Sequence, residues 1–325
     1  MARGGPQVKP GRPLVIASRG SRLARLQAQL VRDALRRAVP ELAAPERIVL
    51  RTMRTSGDRF LAQPLTELGG KGLFTKELDQ AVASGEADFA VHSMKDVPVP
   101  LAAGLVIGAY LPRGPVEEVL VAPQATSLEA LPPGSRLGTS SPRRKALVLA
   151  RRPDLRVVPL RGNVETRLAK VQRGEVDATL LARAGLARLG LWPEWAAVLA
   201  PEVLLPAAGQ GAIGVACRAE DAWALDILAR IDHLSTRVGV EAERAFLARL
   251  EGSCRTPIAA LCELDAEQVR FRGLLAAPDG SVVRLVERRG AAGEACELAR
   301  DAAEAVLAAL PDHARWTTQP PGRDA

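Results

Sequence analysis

The chain alternates between two hydrophobic periods. RPLVIAS (12–18) is a short, nearly continuous apolar run, and SRLARLQAQLVRDALRRA (21–38) returns an apolar residue every third or fourth position. A buried strand followed by an amphipathic helix is expected. ERIVLRTM (46–53) predicts the next strand, and strand–helix–strand is how a parallel sheet begins. FTKELDQAVASGEADFAVHS predicts a helix, a glycine stop, an acidic turn and a strand. TRLAKVQRGEVDATLLA repeats that punctuation, with Gly174 answering Gly85, and the recurrence predicts two similar α/β lobes.

Two segments read as crossings between those lobes. AYLPRGPVEEVLVA (109–122) is broken by Pro112, Gly114 and Pro115, and LLPAAGQGAIGVACR (204–218) brings a glycine-rich turn into a new apolar strand. Two crossings predict a clamp with its ligand cleft at the hinge, near the carboxyl ends of parallel strands. After about residue 230 the texture changes. RVGVEAERAFLARL (237–250) predicts a helix, EGSCRTP a turn, and QVRFRGLLAAPDGSVVRLVER paired strands around an Asp-Gly turn. The expected division is lobe one over 14–111 and 212–229, lobe two over 112–211, and a smaller α+β domain over 230–315. Residues 1–13 and 316–325 read as disordered tails.

The stretch AVHSMKDVPVP (90–100) poses the chemical question, because a buried-looking strand there ends in Ser93, Lys95 and Asp96 and stops at Pro98. A strand-end ion pair would read the same way, and Lys95 could by sequence alone be a Schiff-base lysine. Three strand-to-helix junctions then share one chemistry. IASRGSRLA offers Arg19 and Ser21, RLGTSSPRRKA offers Thr139, Ser141, Arg143 and Arg144, and LRGNVETRL offers Arg161 and Arg167. Ser141 before Pro142 is helix-start chemistry, and free N–H groups beside guanidinium forks form an anion pocket. Arg36 and Arg37, by contrast, fall on the expected exposed face of the first helix.

Charge and composition narrow the partner. The 325 residues carry 44 basic and 37 acidic side chains, a formal +7, which suits nucleic acid or an acidic small molecule. Only 3% of residues are aromatic, which leaves few stacking platforms for a nucleic-acid partner and favours the small acid. Four cysteines without a CxxC pair and three histidines predict neither a disulfide framework nor a metal site. No signal-like leader and no apolar run of about 18 residues is found, so no membrane association and a cytoplasmic location are expected. Cys254 sits in a polar turn beside Arg255, which would favour a reactive thiolate, whereas Cys217, Cys262 and Cys296 read as structural. His92 reads as support for the strand end. Asp58 and Lys71 fall in a glycine-rich loop expected to cover the cleft.

IASRGSRLA, LGGKGLFTKEL, VHSMKDVP, LGTSSPRR, LRGNVETRL, LPAAGQGAIG and LEGSCRTPI stand in the order and approximate spacing of the porphobilinogen deaminases, also called hydroxymethylbilane synthases. The resemblance runs from about residue 14 to 310. It implies two α/β lobes like a type II periplasmic binding protein and a third domain whose cysteine holds a covalent dipyrromethane cofactor. Carried over residue by residue, it implies Asp96 as the catalytic carboxylate and Cys254 as the attachment point. It implies Arg19, Ser21, Lys71, Ser93, Lys95, Thr139, Ser141, Arg143, Arg144, Arg161, Arg167 and Arg188 as partners of cofactor and substrate. The implied reaction joins four porphobilinogen molecules head to tail, with loss of ammonia, in tetrapyrrole biosynthesis. A monomer that binds neither nucleic acid nor membrane and passes its product to uroporphyrinogen-III synthase is implied as well.

The residue types suit that chemistry. Loss of ammonia from an aminomethylpyrrole leaves an electron-poor azafulvene, which the free α-carbon of the growing chain attacks. A carboxylate such as Asp96 can hydrogen-bond the pyrrole N–H, stabilise the cation and move protons. Rings bearing acetate and propionate call for arginine forks. Departures from the family pattern are Ser253 for a usual glycine, RTP after Cys254 where QVP is frequent, Pro142 for a common leucine, and Glu67 where a lysine is frequent. Two other readings share parts of the pattern. A two-lobed solute-binding module would need neither Cys254 nor a third domain, and a basic nucleic-acid-binding protein would show steeply salt-dependent binding.

Overall fold

The structure is a computed structural model that describes residues 12–59, 72–250 and 256–309. Lys71, Cys254, Glu67 and Ser253 therefore lie outside the described residues. The described chain forms two compact units, one of residues 12–59, 72–113 and 212–237, the other of residues 114–211, 238–250 and 256–309.

In the first unit β1 (Leu14–Arg19), α1 (Arg22–Ala38) and β2 (Ile48–Met53) are followed by the short α2 (Ser56–Arg59), then α3 (Lys76–Ala83), β3 (Phe89–Ser93) and β4 (Leu105–Tyr110). The chain returns to this unit with β10 (Ile213–Arg218) and α7 (Ala222–Ala229). The sheet runs β2-β1-β3-β10-β4, with β1 parallel to β2 and β3 and with β10 antiparallel to both its neighbours. β1 and β3 are covered on both faces, which is why they read as continuous apolar runs, whereas edge strand β2 alternates. α1 buries Ala28, Val31 and Leu35 on one stripe against Leu14, Ile16 and Phe89, and Ser21 caps it by accepting the Ala24 N–H.

The second unit contains β5 (Glu118–Val121), β6 (Arg136–Gly138), α4 (Pro142–Arg151), β7 (Arg156–Val158), α5 (Val164–Gln172), β8 (Ala178–Ala182), α6 (Arg183–Leu189) and β9 (Ala196–Leu199). Its sheet runs β7-β6-β8-β5-β9, the same order as the first, again with one antiparallel strand, β5, inserted before the edge. Both units are therefore α/β lobes, as expected.

The recurrence read around Gly85 and Gly174 is structural. Both glycines adopt left-handed φ, of 81° and 69°, at the ends of α3 and α5. Asp88 then accepts the Val15 N–H at 2.9 Å, and Asp177 accepts the Arg136 N–H at 2.7 Å. In each unit the acidic turn thus satisfies the entry of the neighbouring strand, a duty the sequence pattern alone did not assign.

α8 (Leu234–Arg249), β11 (Ile258–Asp265), β12 (Gln268–Ala276), β13 (Val283–Ala291) and α9 (Ala295–Ala308) complete the chain. The three strands form an antiparallel sheet in chain order, and its Asp279-Gly280 turn has the expected positive φ at glycine. Phe246 of α8 packs on Phe271 with ring centroids 5.4 Å apart, and α9 closes the same core. On the opposite face Ala259, Leu261 and Leu274 join the core beneath α4. No helix of the described residues is long and apolar enough to cross a membrane.

Candidate active site

The C-terminal ends of β1 and β3 build a depression in the first unit. It is lined by Arg19, Ser21, Ser93, Lys95 and Asp96, together with Gln27, Phe74 and Thr75. β3 stops because a 3-10 turn, Met94–Asp96, follows at once, and that turn swings Lys95 and Asp96 to the strand end, both half-buried. Beneath it the Met94 N–H donates to Ala212 O at 3.1 Å, so the neighbouring antiparallel strand region holds the turn. His92 is buried with Nε2 at 3.2 Å from Asp79 Oδ1, so the strand end packs against α3 behind it.

Three side chains of the depression were not singled out from the sequence. Gln27 donates to Ser93 Oγ at 2.8 Å and so fixes that hydroxyl. Phe74 lies under the Arg19 guanidinium, 4.5 Å from Cζ to ring centroid, a cation–π contact that orients the arginine. The Thr75 hydroxyl is buried with no hydrogen-bond partner among the described residues. Gln27 carried a signal: it is a polar residue on the buried stripe of α1.

The second unit gathers another set. Ser141 caps α4 by accepting the Arg144 N–H, Pro142 starts the helix, and the Ser141 N–H donates to Thr139 Oγ1 at 3.2 Å. The β7–α5 junction is stitched alongside, since Thr139 N–H donates to Val158 O at 2.8 Å and Ser140 Oγ to Leu160 O at 3.1 Å. Arg161 is half-buried there, and Arg167 Nε donates to Gly162 O at 2.9 Å. Gly162 has φ 121° and a Cβ on it would strike Thr166, so the junction requires glycine. Arg143 and Arg144 are almost fully buried and share the carboxylate of Glu118, at 2.5 and 2.7 Å. Burial pushes the Arg143 guanidinium down from its ordinary value, while Glu118 opposes the shift. Arg188 stands apart from the junctions. Its Nη2 donates to Gly211 O at 2.5 Å, and burial lowers its pKa to about 10.

One expectation fails. Arg36 is not on the exposed face of α1; it is half-buried, with Nη2 donating to Pro45 O at 2.9 Å, because the chain folds back over the helix end at Pro40–Leu42 and Pro45–Arg47. Arg37 is exposed as expected. Among the other cysteines, Cys217 and Cys262 are buried, and desolvation raises the Cys217 thiol to about 11, the adjacent Asp221 adding to the effect. No cluster of three metal-ligating side chains occurs among the described residues.

Known proteins bear on this arrangement. Residues 14–226 match the family model described as porphobilinogen deaminase, dipyromethane cofactor binding domain, and residues 238–308 match the one described as porphobilinogen deaminase, C-terminal domain. Relatives named porphobilinogen deaminase include one from Nitrobacter hamburgensis, 50% identical over 89% of this chain and 90% of its own. Another, from Paracoccus denitrificans, is 47% identical over 95% and 98%. A chloroplastic one from Oryza sativa is 48% identical over 85% and 77%. Among solved structures, the Bordetella pertussis BvgS periplasmic VFT2 domain is 14% identical with a TM-score of 0.40 over 68% of this chain and 86% of that one. An Enterococcus faecalis lipoprotein of the YaeC family is 13% identical with a TM-score of 0.42 over 69% and 92%. Likeness at that level carries no functional argument.

Proposed function

The chain belongs to the porphobilinogen deaminase family, and from that premise we propose that Asp96 is its catalytic carboxylate and Cys254 the anchor of its cofactor. The enzyme is a transferase, hydroxymethylbilane synthase: it condenses four porphobilinogen molecules head to tail and releases ammonia. The observation that carries the assignment is the depression at the end of β3, where Asp96 stands with Arg19, Ser21, Ser93 and Lys95. A carboxylate among cations is what an aminomethylpyrrole bearing acetate and propionate requires.

Asp96 accepts the pyrrole N–H, stabilises positive charge as the amine departs, and takes up the proton released after coupling. Arg19, held over the Phe74 ring, and Lys95 receive carboxylates of the substrate. Ser93, fixed by Gln27, offers a hydroxyl of set direction. Arg143, Arg144, Arg161 and Arg167, with Thr139 and Ser141, receive the remaining carboxylates. The residues present fit a dipyrromethane, since Arg144 Nε is buried with no hydrogen-bond partner among the described residues and lies beside Arg143, with which it shares the Glu118 carboxylate. When bound, that group supplies the free α-carbon onto which the first substrate is joined. Lys71 belongs to the substrate set by the same reading, and Arg188 serves it by fastening the segment at Gly211. The enzyme acts as a cytoplasmic monomer and passes its product to uroporphyrinogen-III synthase.

Intact mass and peptide mapping test this reading. Protein incubated with porphobilinogen should consume it and carry two pyrrole units on the peptide containing Cys254. Cys254→Ser should be folded, unmodified and nearly inactive, because a hydroxyl is a far weaker nucleophile than a thiolate. Cys217→Ser, Cys262→Ser and Cys296→Ser should keep the adduct. Active wild-type enzyme without an adduct, or with one on another cysteine, would refute the anchor.

A further inference from the structure

Glu118 opens β5, which lies between β8 and β9 in the second sheet, and its carboxylate is fully buried on the face that α4 covers. A strand that alternates Leu120 with Glu118 on its α4 side places an ionised group where apolar packing is expected. What it meets there is a pair of guanidinium groups. Arg143 Nη2 donates to Oε1 at 2.5 Å and Arg144 Nη2 donates to Oε2 at 2.7 Å. Of these three side chains one is an anion and two are cations, so together they carry net positive charge where burial leaves almost no access to water.

The two arginines are not equivalent. Arg143 also donates through Nη1 to Leu205 O at 2.8 Å, which anchors it to the backbone. Arg144 keeps its Nε buried with no hydrogen-bond partner among the described residues. An unsatisfied donor and an uncompensated charge in one cluster are both relieved by an incoming carboxylate.

We propose that Glu118 is a positioning residue for the reaction: its carboxylate aims both guanidinium forks, cancels one of their charges, and leaves Arg144 to receive a carboxylate of the pyrrole substrate or chain. The proposal rests on the reading of Arg143 and Arg144 as carboxylate receptors. Without Glu118 the adjacent guanidinium groups repel one another and lose their common direction. With a shorter acid the charge balance survives and the aim does not.

Glu118→Asp and Glu118→Ala test it. Glu118→Asp, with a far-UV spectrum like wild type, should raise the KM for porphobilinogen by roughly tenfold, the value of one charge-assisted hydrogen bond, with a smaller change in kcat. In Glu118→Ala, sodium acetate should raise the thermal midpoint by several degrees more than in wild type, with sodium chloride at equal ionic strength as the control, because acetate enters the space between the two forks. That readout is independent of turnover. A Glu118→Asp variant of lowered midpoint but KM within about twofold of wild type would make Glu118 merely structural and overturn the proposal. Equal acetate responses in Glu118→Ala and wild type would overturn it too. If Glu118→Ala does not fold, the KM of Glu118→Asp decides. Wild-type protein that consumes no porphobilinogen would refute the underlying reading and this proposal together, whereas active wild type with an unmoved KM in Glu118→Asp refutes only the role of Glu118.

Discussion

Gly214→Ala offers a test of how the turn bearing the proposed catalytic aspartate is held. Gly214 of β10 pairs with His92 of β3 on one side and Tyr110 of β4 on the other. A Cβ there would overlap Met94 Sδ and stand 3.2 Å from Met94 Cγ and 3.3 Å from Ile107 Cγ2. Met94 is 2% exposed and begins the turn whose next residues are Lys95 and Asp96, so it has little room to retreat except by moving that turn. Restoring an ordinary separation of about 3.5–4.0 Å requires a shift on the order of an ångström. Overpacking of this kind costs about 1–3 kcal/mol of stability. A displacement of about 1 Å at a catalytic group lowers the rate by up to about a hundredfold. The expected outcome is a lower urea midpoint together with a fall in kcat of about ten- to a hundredfold and a nearly constant KM. Met94→Ala should relieve the overlap, so the double variant should recover part of the loss that the single change imposes. If Gly214→Ala lost stability but kept kcat within about twofold, or if the two changes were additive, Met94 would not be the element that couples β10 to the turn.

Asp96→Ala should fold normally and lose turnover by about 10²–10⁴, the value of a positioned acid/base; more than about a tenth of wild-type kcat at saturating porphobilinogen would remove Asp96 from that role. Arg161→Leu should impair adduct formation or chain elongation, measured by intact mass after timed exposure to substrate, whereas exposed Arg37→Leu should leave both unchanged. Equal losses from the two would deny the carboxylate map any positional meaning.

Much of the lobe architecture was legible because parallel strands buried on both faces are written as unbroken apolar runs and their helices as amphipathic ones. β1, α1, β3 and β8 begin and end within a few residues of expectation. The candidate residues could be read where local structure has its own signature, as at Ser141 and Pro142, which start a helix at the proposed carboxylate-binding junction. Long-range pairings left no such trace. Gln27 meets Ser93, and Glu118 meets Arg143 and Arg144, across distances in sequence that periodicity does not measure. Arg36 shows the converse failure: helical spacing turned it outward, but the segment after Val39 folds back and covers it.

The inserted antiparallel strands also govern when each sheet can exist. β3 and β4 are not neighbours; β10 lies between them and hydrogen-bonds to both. Until Ile213–Arg218 leaves the ribosome, the first three strands and β4 have facing edges with nothing to join them. At roughly 5–20 residues per second, the stretch between Tyr110 and Ile213 keeps those edges open for on the order of ten seconds. The second sheet suffers no comparable delay, since β5 is synthesised before the strands it joins. The five-stranded sheet that bears the proposed catalytic aspartate is thus begun before the other and closed after it, and during that interval its open edges β3 and β4 are the natural targets for a chaperone or for misassembly.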